Sequence, residues 1–225
     1  MSKTPRSSSR SPLTSEELER LTADDFVRLK LTEDEKSRLR EINKAREQER
    51  VERAARLRDE EKPTVTELRN LGWNVNSVWD LVNTSDRYEL AIPILLKHLA
   101  LPYSDRTREG IARALAVPDA RYAWPTLVVE YRKAPMGRGV VAPGDAKELP
   151  LHAKDGLAVA VSATATDATI EELIALARDP SLGESRVLLL RGIRKSKSPL
   201  AKRAIQDLAS DPTLAKEIAS WRRAR

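Results

Sequence analysis

Few residues in this chain are of the kinds that do chemistry. Cysteine is absent, which excludes a thiolate metal site, a cysteine nucleophile and a disulfide framework. His98 and His152 stand far apart, with no carboxylate cluster spaced to join them into a metal site. His98, in Leu-Lys-His-Leu, sits at one edge of an apolar helical stripe and reads as a half-buried structural histidine. His152 opens a later helix, where it reads as a capping or loop residue. No phosphate-cradling glycine loop, zinc-binding H-E-x-x-H or nucleophile elbow G-x-S-x-G occurs. Gly137-Arg138-Gly139 lacks the flanking strand and helix that a phosphate cradle needs, and is expected to be a flexible tip. The adjacent acids Glu16/Glu17, Asp24/Asp25 and Glu171/Glu172 fall in first turns of helices, where the macrodipole stabilises negative charge. Acid–base catalysis would need one buried member with a raised pKa. No catalytic residue, metal ligand, cofactor or small-molecule substrate is therefore expected, and the chain does not read as an enzyme.

The elements that would position any site are helical. The chain has 225 residues, 40% of them hydrophobic and only 4% aromatic, enough for one or two domains with a sizeable core. No apolar run approaches the ~18 residues of a membrane-spanning helix. The opening MSKTPRSSSRSPL has no apolar stretch behind its basic residues and does not read as a secretory signal. A cytoplasmic location is the expectation. Residues 1–12, rich in Ser, Arg and Pro, are expected to be disordered. Thr14/Glu17, Thr22/Asp25 and Thr32/Glu35 have capping-box spacing and open helices at 15–21, near 23 and at 33–61. The last is rich in Glu, Arg, Lys and Ala, with Asp34–Arg38, Glu49–Arg53 and Glu52–Arg56 as i,i+4 pairs. A heptad started at Leu39 and Ile42 puts Arg46, Glu49, Arg53 and Arg56 on its seam, so no coiled coil is expected. Pro63 should end this charged extension, 13–62. Thr64/Glu67 would start a short helix at 65–71, closed by Gly72 and paired with another at 76–83. Trp73 and Trp79 belong to its apolar face.

From residue 63 onwards the chain repeats. Ala91-Ile92-Pro93-Ile94-Leu95 returns 32 residues later as Ala123-Trp124-Pro125-Thr126-Leu127, and Ala177-Arg178-Asp179-Pro180-Ser181-Leu182 returns 32 later as Ala209-Ser210-Asp211-Pro212-Thr213-Leu214. The middle step, Trp124 to Ile170, is longer because residues 133–150, rich in Gly and Pro, read as a loop inserted within one unit. First helices fall near 89–100, 122–132, 168–178 and 199–210, and second helices near 105–116, 152–163, 184–195 and 212–223. The second helices align, so that Arg108, Lys154 and Arg186 are equivalent, as are Arg113 and Arg191, with Val159 interrupting that row. Gly110, Ala114, Gly156, Ala160 and Gly192 suit close helix approach. A period of this length means stacked helix pairs, since one pair cannot bury its own apolar face.

With its Ile/Trp-Pro-x-Leu first helices, Asp-Pro turns and second helices of the type Arg108…Arg113-Ala114-Leu115, the chain over residues 64–225 resembles the HEAT-repeat superfamily, in particular bacterial HEAT-like proteins. The resemblance implies an all-α fold, an α-solenoid of stacked HEAT-like helix pairs over 63–225, preceded by the charged helical extension. It implies binding of other macromolecules, and some members are bilin-lyase accessory subunits or DNA glycosylases. An aromatic cleft with a carboxylate, as a glycosylase would need, cannot be placed here.

Charge refines the expectation. The net charge is +6. Residues 1–62 hold 16 basic against 15 acidic residues, 63–193 hold 15 against 16, and 194–225 hold 9 against 3. The leading expectation is a non-catalytic scaffold or adaptor that binds a protein partner through a concave face carrying Arg108, Arg113, Lys154, Arg186 and Arg191. A competing role for these cations is to bond carboxylates and carbonyls of the neighbouring repeat. The alternative is a nucleic-acid-binding HEAT-like protein using Arg194, Lys195, Lys197, Lys202 and Arg203. Its basic excess is local rather than a stripe, and Tyr103, Tyr122 and Tyr131 lie outside the cation row.

Overall fold

The computed structural model describes residues 10–223, in which nearly all regular secondary structure is helical. The chain divides into two compact units, with the boundary between Ala54 and Ala55. No described helix is long and apolar enough to cross a membrane.

In the first unit, α1 (Ser15–Glu19) and α2 (Ala23–Arg28) each open with a reciprocal capping box, Thr14/Glu17 and Thr22/Asp25. The start of α3 (Glu33–Asn70) is held the same way: the Glu35 amide donates to Thr32 Oγ1 and the Thr32 amide to Glu35 Oε2. Glu35 also reaches outside its own box. Its Oε1 accepts the Leu13 amide at 2.8 Å and its Oε2 the Arg10 guanidinium at 2.7 Å. Arg10, within the tail expected to be disordered, is paired with this buried carboxylate; residues 1–9 of that tail lie outside the described residues. Ion pairs along α3 join Glu33 to Lys36 and Glu47 to Arg50.

Pro63 does not end α3, which continues to Asn70. Proline inside a helix removes one backbone bond at a cost of about 3 kcal/mol, but here tertiary contacts hold the turn on either side of it. Glu61 accepts Ser77 Oγ at 2.6 Å and the Val78 amide at 3.3 Å. Val65 and Leu68 are buried in the main core. The helix expected afresh at 65–71 is therefore the end of α3, and the one expected at 76–83 shrinks to α4 (Trp79–Val82).

Four helix pairs follow: α5 (Ile92–Leu99) with α6 (Asp105–Ala114), α7 (Trp124–Lys133) with α8 (Ala153–Thr164), α9 (Ile170–Arg178) with α10 (Arg186–Lys195), and α11 (Pro199–Leu208) with α12 (Pro212–Arg223). Short 3-10 turns at Glu89–Ala91, Pro118–Ala123 and Pro180–Ser185 lead into α5, α7 and α10. Pro93, Pro125 and Pro199 stand in the first turn of α5, α7 and α11, where the missing N–H would have had no helical partner anyway. The second helices neighbour one another in sequence order, α6 against α8, α8 against α10 and α10 against α12, and each first helix covers its own second helix. Leu95, Ile111, Leu127, Leu157, Leu173 and Leu189 are wholly buried between them.

Two glycines set how closely the second helices approach. A Cβ on Gly156 would lie 2.9 Å from the Glu109 carbonyl oxygen, and one on Gly192 would lie 2.7 Å from that of Ser162. The obstacle is backbone in both cases, so neither helix can yield without shifting.

The 133–150 insertion is packed down rather than loose. Arg138–Gly139 (β1) pairs antiparallel with Leu149–Pro150 (β2), so the expected flexible tip is half of a small ribbon. Val141 and Ala142 are buried, the Arg106 amide donates to the Val141 carbonyl, and Arg56 Nε donates to the Pro143 carbonyl.

Gly192→Ala should lower stability. The overpacking cost of about 1–3 kcal/mol exceeds the ~1 kcal/mol that alanine gains in helix propensity, and urea unfolding should show an earlier midpoint at unchanged slope. A second expectation concerns acid. The Leu13 and Thr32 amides, with Arg10 beside them, hold the Glu35 carboxyl down to about 2. A carboxylate lowered on folding stabilises the fold above its unfolded value, ~4.3, and that contribution fades as pH falls from there through about 2. Exchange of the Leu13 amide in the full chain should accelerate, relative to its intrinsic rate, over that window. Glu35→Gln should remove this pH dependence.

Candidate functional site

The residues expected to form a cationic row separate into two groups. Lys154 and Arg186 are buried, at 4% and 3% exposure. Lys154 Nζ donates to the carbonyls of Tyr131 and Ala134 at 3.1 and 3.0 Å and lies over the Tyr131 ring. Burial pushes its pKa down. Arg186 donates to the carbonyls of Ala177 and Gly183, both at 3.0 Å, and to Asp211 at 2.7 Å. That hydrogen bond is the chief reason the Asp211 carboxyl lies below its ordinary range. Arg108, at the equivalent position, pairs with Glu130 at 2.9 Å and leans towards the Leu101 carbonyl at 3.4 Å. Lys154 and Arg186 do one job: a cation in the first turn of a second helix satisfies a carbonyl at the end of the first helix before it, whereas Arg108 is held chiefly by Glu130. This corrects the exposed row. Lys154 and Arg186 are enclosed and spoken for, because the last carbonyls of a helix have no partner within it.

Arg113 is half-buried and pairs at 2.8 Å with Glu109, which also takes Arg106 at 2.7 Å. Arg191 differs. It is exposed and makes no ion pair among the described residues. It borders a groove of about 510 Å³ between α8, α10 and α12, floored by Val159, Ala163, Val187 and Leu188, all half-buried. Lys195 borders the same groove and a second cavity of about 300 Å³ beside it, which Arg121 and Lys197 also line. Arg121, Lys195 and Lys197 are exposed and without ion pairs among the described residues. The two lining acids are engaged: Asp167 accepts Ser196 Oγ at 2.7 Å and Glu217 accepts Trp221 Nε1 at 2.8 Å. Cations outnumber acids four to two around the pair of cavities.

Arg191 and Lys195, expected to serve different roles, thus stand one turn apart on the same face of α10. Arg194 and Lys202 line a third cavity, of about 540 Å³, with Ile205 and Trp221, and Arg194 lies 4.7 Å over the Trp221 ring. Arg203 is exposed but lines none of these three cavities.

The apolar floor was missed in the sequence. Val159 reads there as a break in a cation row, whereas in the fold it is where the groove becomes apolar. One signal was available: Val187-Leu188-Leu189-Leu190 is a longer apolar run than one helix face can bury. Leu189 and Leu190 are buried, which leaves Val187 and Leu188 facing the groove.

The remaining titratable groups are structural. His98 is fully buried rather than half-buried, with Nδ1 2.8 Å from the Tyr103 hydroxyl and Nε2 3.2 Å from Glu67 but poorly aligned on it. His152 N-caps α8, with Nδ1 3.1 Å from Asp155. Glu60 and Glu61 form an adjacent acid pair, and burial pushes the Glu61 carboxyl up. Glu61 Oε2 accepts Ser77 Oγ and the Val78 amide, and Glu60 accepts from Ser104 and Thr107. No group of three or more histidines and acids is placed to hold a metal among the described residues.

Arg186→Ala would strand Asp211 and two carbonyls. Removing one member of a buried ion pair costs about 3–5 kcal/mol, and partial exposure of Asp211 puts the expected loss at the lower end of that range. Thermal or urea unfolding measures it, and Arg191→Ala in parallel should change stability by no more than ~0.5 kcal/mol. Comparison with protein-family models, with curated proteins and with solved structures returns no match.

Proposed function

We propose that the helix pairs of residues 63–225 are HEAT-like repeats of an α-solenoid, and that the chain is a non-catalytic scaffold or adaptor that binds a protein partner through the exposed face of its second helices. The observation that carries this reading is the α8–α10 groove. Val159, Val187 and Leu188 are half-buried there, while Arg191 and Lys195 stand beside them unpaired. Apolar area left accessible inside a groove gains free energy when a partner covers it, and unpaired cations at its edge steer and orient that partner. On α6 and α8 and at the start of α10, cations are matched to acids or carbonyls, whereas Arg191 and Lys195 make no ion pair among the described residues.

The nucleic-acid reading has less to stand on. Exposed cations cluster near the groove, but among the described residues no aromatic side chain lines the two cavities that Arg191 and Lys195 border; Trp221, in the third, lies under Arg194. Single-stranded nucleic acid gains much of its affinity by stacking on aromatic rings.

A photo-crosslinking residue at Val187 in the full chain tests the proposal, with one at exposed Leu149 as control. The expected result in native cytosol is a protein adduct at position 187, absent at 149, that survives nuclease and is lost in an Arg191→Glu/Lys195→Glu variant. An adduct that disappears with nuclease, together with affinity for nucleic acid falling steeply with salt, would overturn it.

A further inference from the structure

Resting on the scaffold reading, we infer that the groove between α8 and α10 takes an acidic amphipathic helix of the partner. The first reason is chemical pattern. On α10, Val187, Arg191 and Lys195 follow at intervals of four residues, so one helical row runs from apolar to cationic. On α8, Val159 and Ala163 are likewise one turn apart. An apolar stripe at i, i+4 and i+7 matches the floor, and carboxylates one turn apart match Arg191 and Lys195, whose own separation along the axis is about 6 Å.

The second reason is the backbone. The groove is walled by side chains of helices, whose amides and carbonyls are bonded within the helix. An extended peptide would find no sheet edge there and would leave its own N–H and C=O groups without partners, at a cost of about 1–3 kcal/mol for each one buried. A helical ligand brings its backbone bonds already made. The third reason is charge. Four cations against the two carboxylates Asp167 and Glu217 leave a net cationic rim, which favours carboxylates and disfavours a basic helix.

Fluorescence anisotropy with the full chain tests this. The probes are a labelled four-turn peptide with Leu at i, i+4 and i+7 and Glu along both flanks, the same peptide with Lys in place of Glu, and a single-stranded DNA of similar length. The Glu peptide should bind, gain helical circular dichroism on binding and weaken as salt rises. The Arg191→Glu/Lys195→Glu variant, altered only at exposed positions, should bind it about tenfold more weakly. Equal or tighter binding of the Lys peptide, displacement by the DNA, or undiminished binding by the variant would overturn the inference. The two proposals can fail separately. A nuclease-resistant protein adduct at position 187 that the Glu peptide does not displace would leave the scaffold reading standing and remove this one. Absence of both adduct and peptide binding would remove both.

Discussion

A helix cannot satisfy its own ends. Its first four N–H and last four C=O groups need partners from elsewhere, and α5 to α12 have only 8 to 12 residues each. About a third to a half of their backbone groups therefore belong to an end. Once such helices are packed into one core, many ends lie beyond the reach of water, and charged side chains from neighbouring elements must serve them. Glu61 caps the start of α4 and Glu60 that of α6. Asp105, in the first turn of α6, takes the His152 and Ala153 amides at the start of α8 at 2.8 and 2.9 Å. At the other polarity, Lys154 and Arg186 serve the carbonyl ends of α7 and α9.

This division decides which charges are left to act on a partner. A carboxylate or cation serving a buried helix end is held by several hydrogen bonds and has already lost its water. Arg191 and Lys195 lie a turn or more beyond Arg186 on α10, make no ion pair among the described residues and remain exposed. The cationic groove is the remainder after the fold has taken the charges it needs.

The glycines act on the same surface. Gly156 and Gly192 bring α6, α8 and α10 so close that a methyl group would strike a neighbouring carbonyl oxygen. Close approach leaves only narrow grooves between second helices, and residues beside the contact, such as Val159 and Leu188, stay partly uncovered. A helix wedged into such a groove would meet apolar side chains below and cations at the rim.

The sequence by itself determined that the chain is helical, where the four pairs lie and where the insertion falls. Each of these follows from local rules: 3.6-residue periodicity, prolines in first turns, and a spacing that returns after 32 residues. It also identified Arg108, Lys154 and Arg186 as equivalent, which is a property of register. Only the tertiary structure decided what that equivalence means. A cation at a given helical position reads the same whether it faces a carbonyl end or water, because the carbonyls of Tyr131, Ala134 and Ala177 come from a different helix. The continuation of α3 past Pro63 was hidden for a like reason: local propensity says stop, and the contacts of Glu60, Glu61, Val65 and Leu68 that hold the helix together come from residues far along the chain. The groove, finally, is an arrangement of residues left half-covered, and coverage is a property of neighbours that no single stretch of sequence contains.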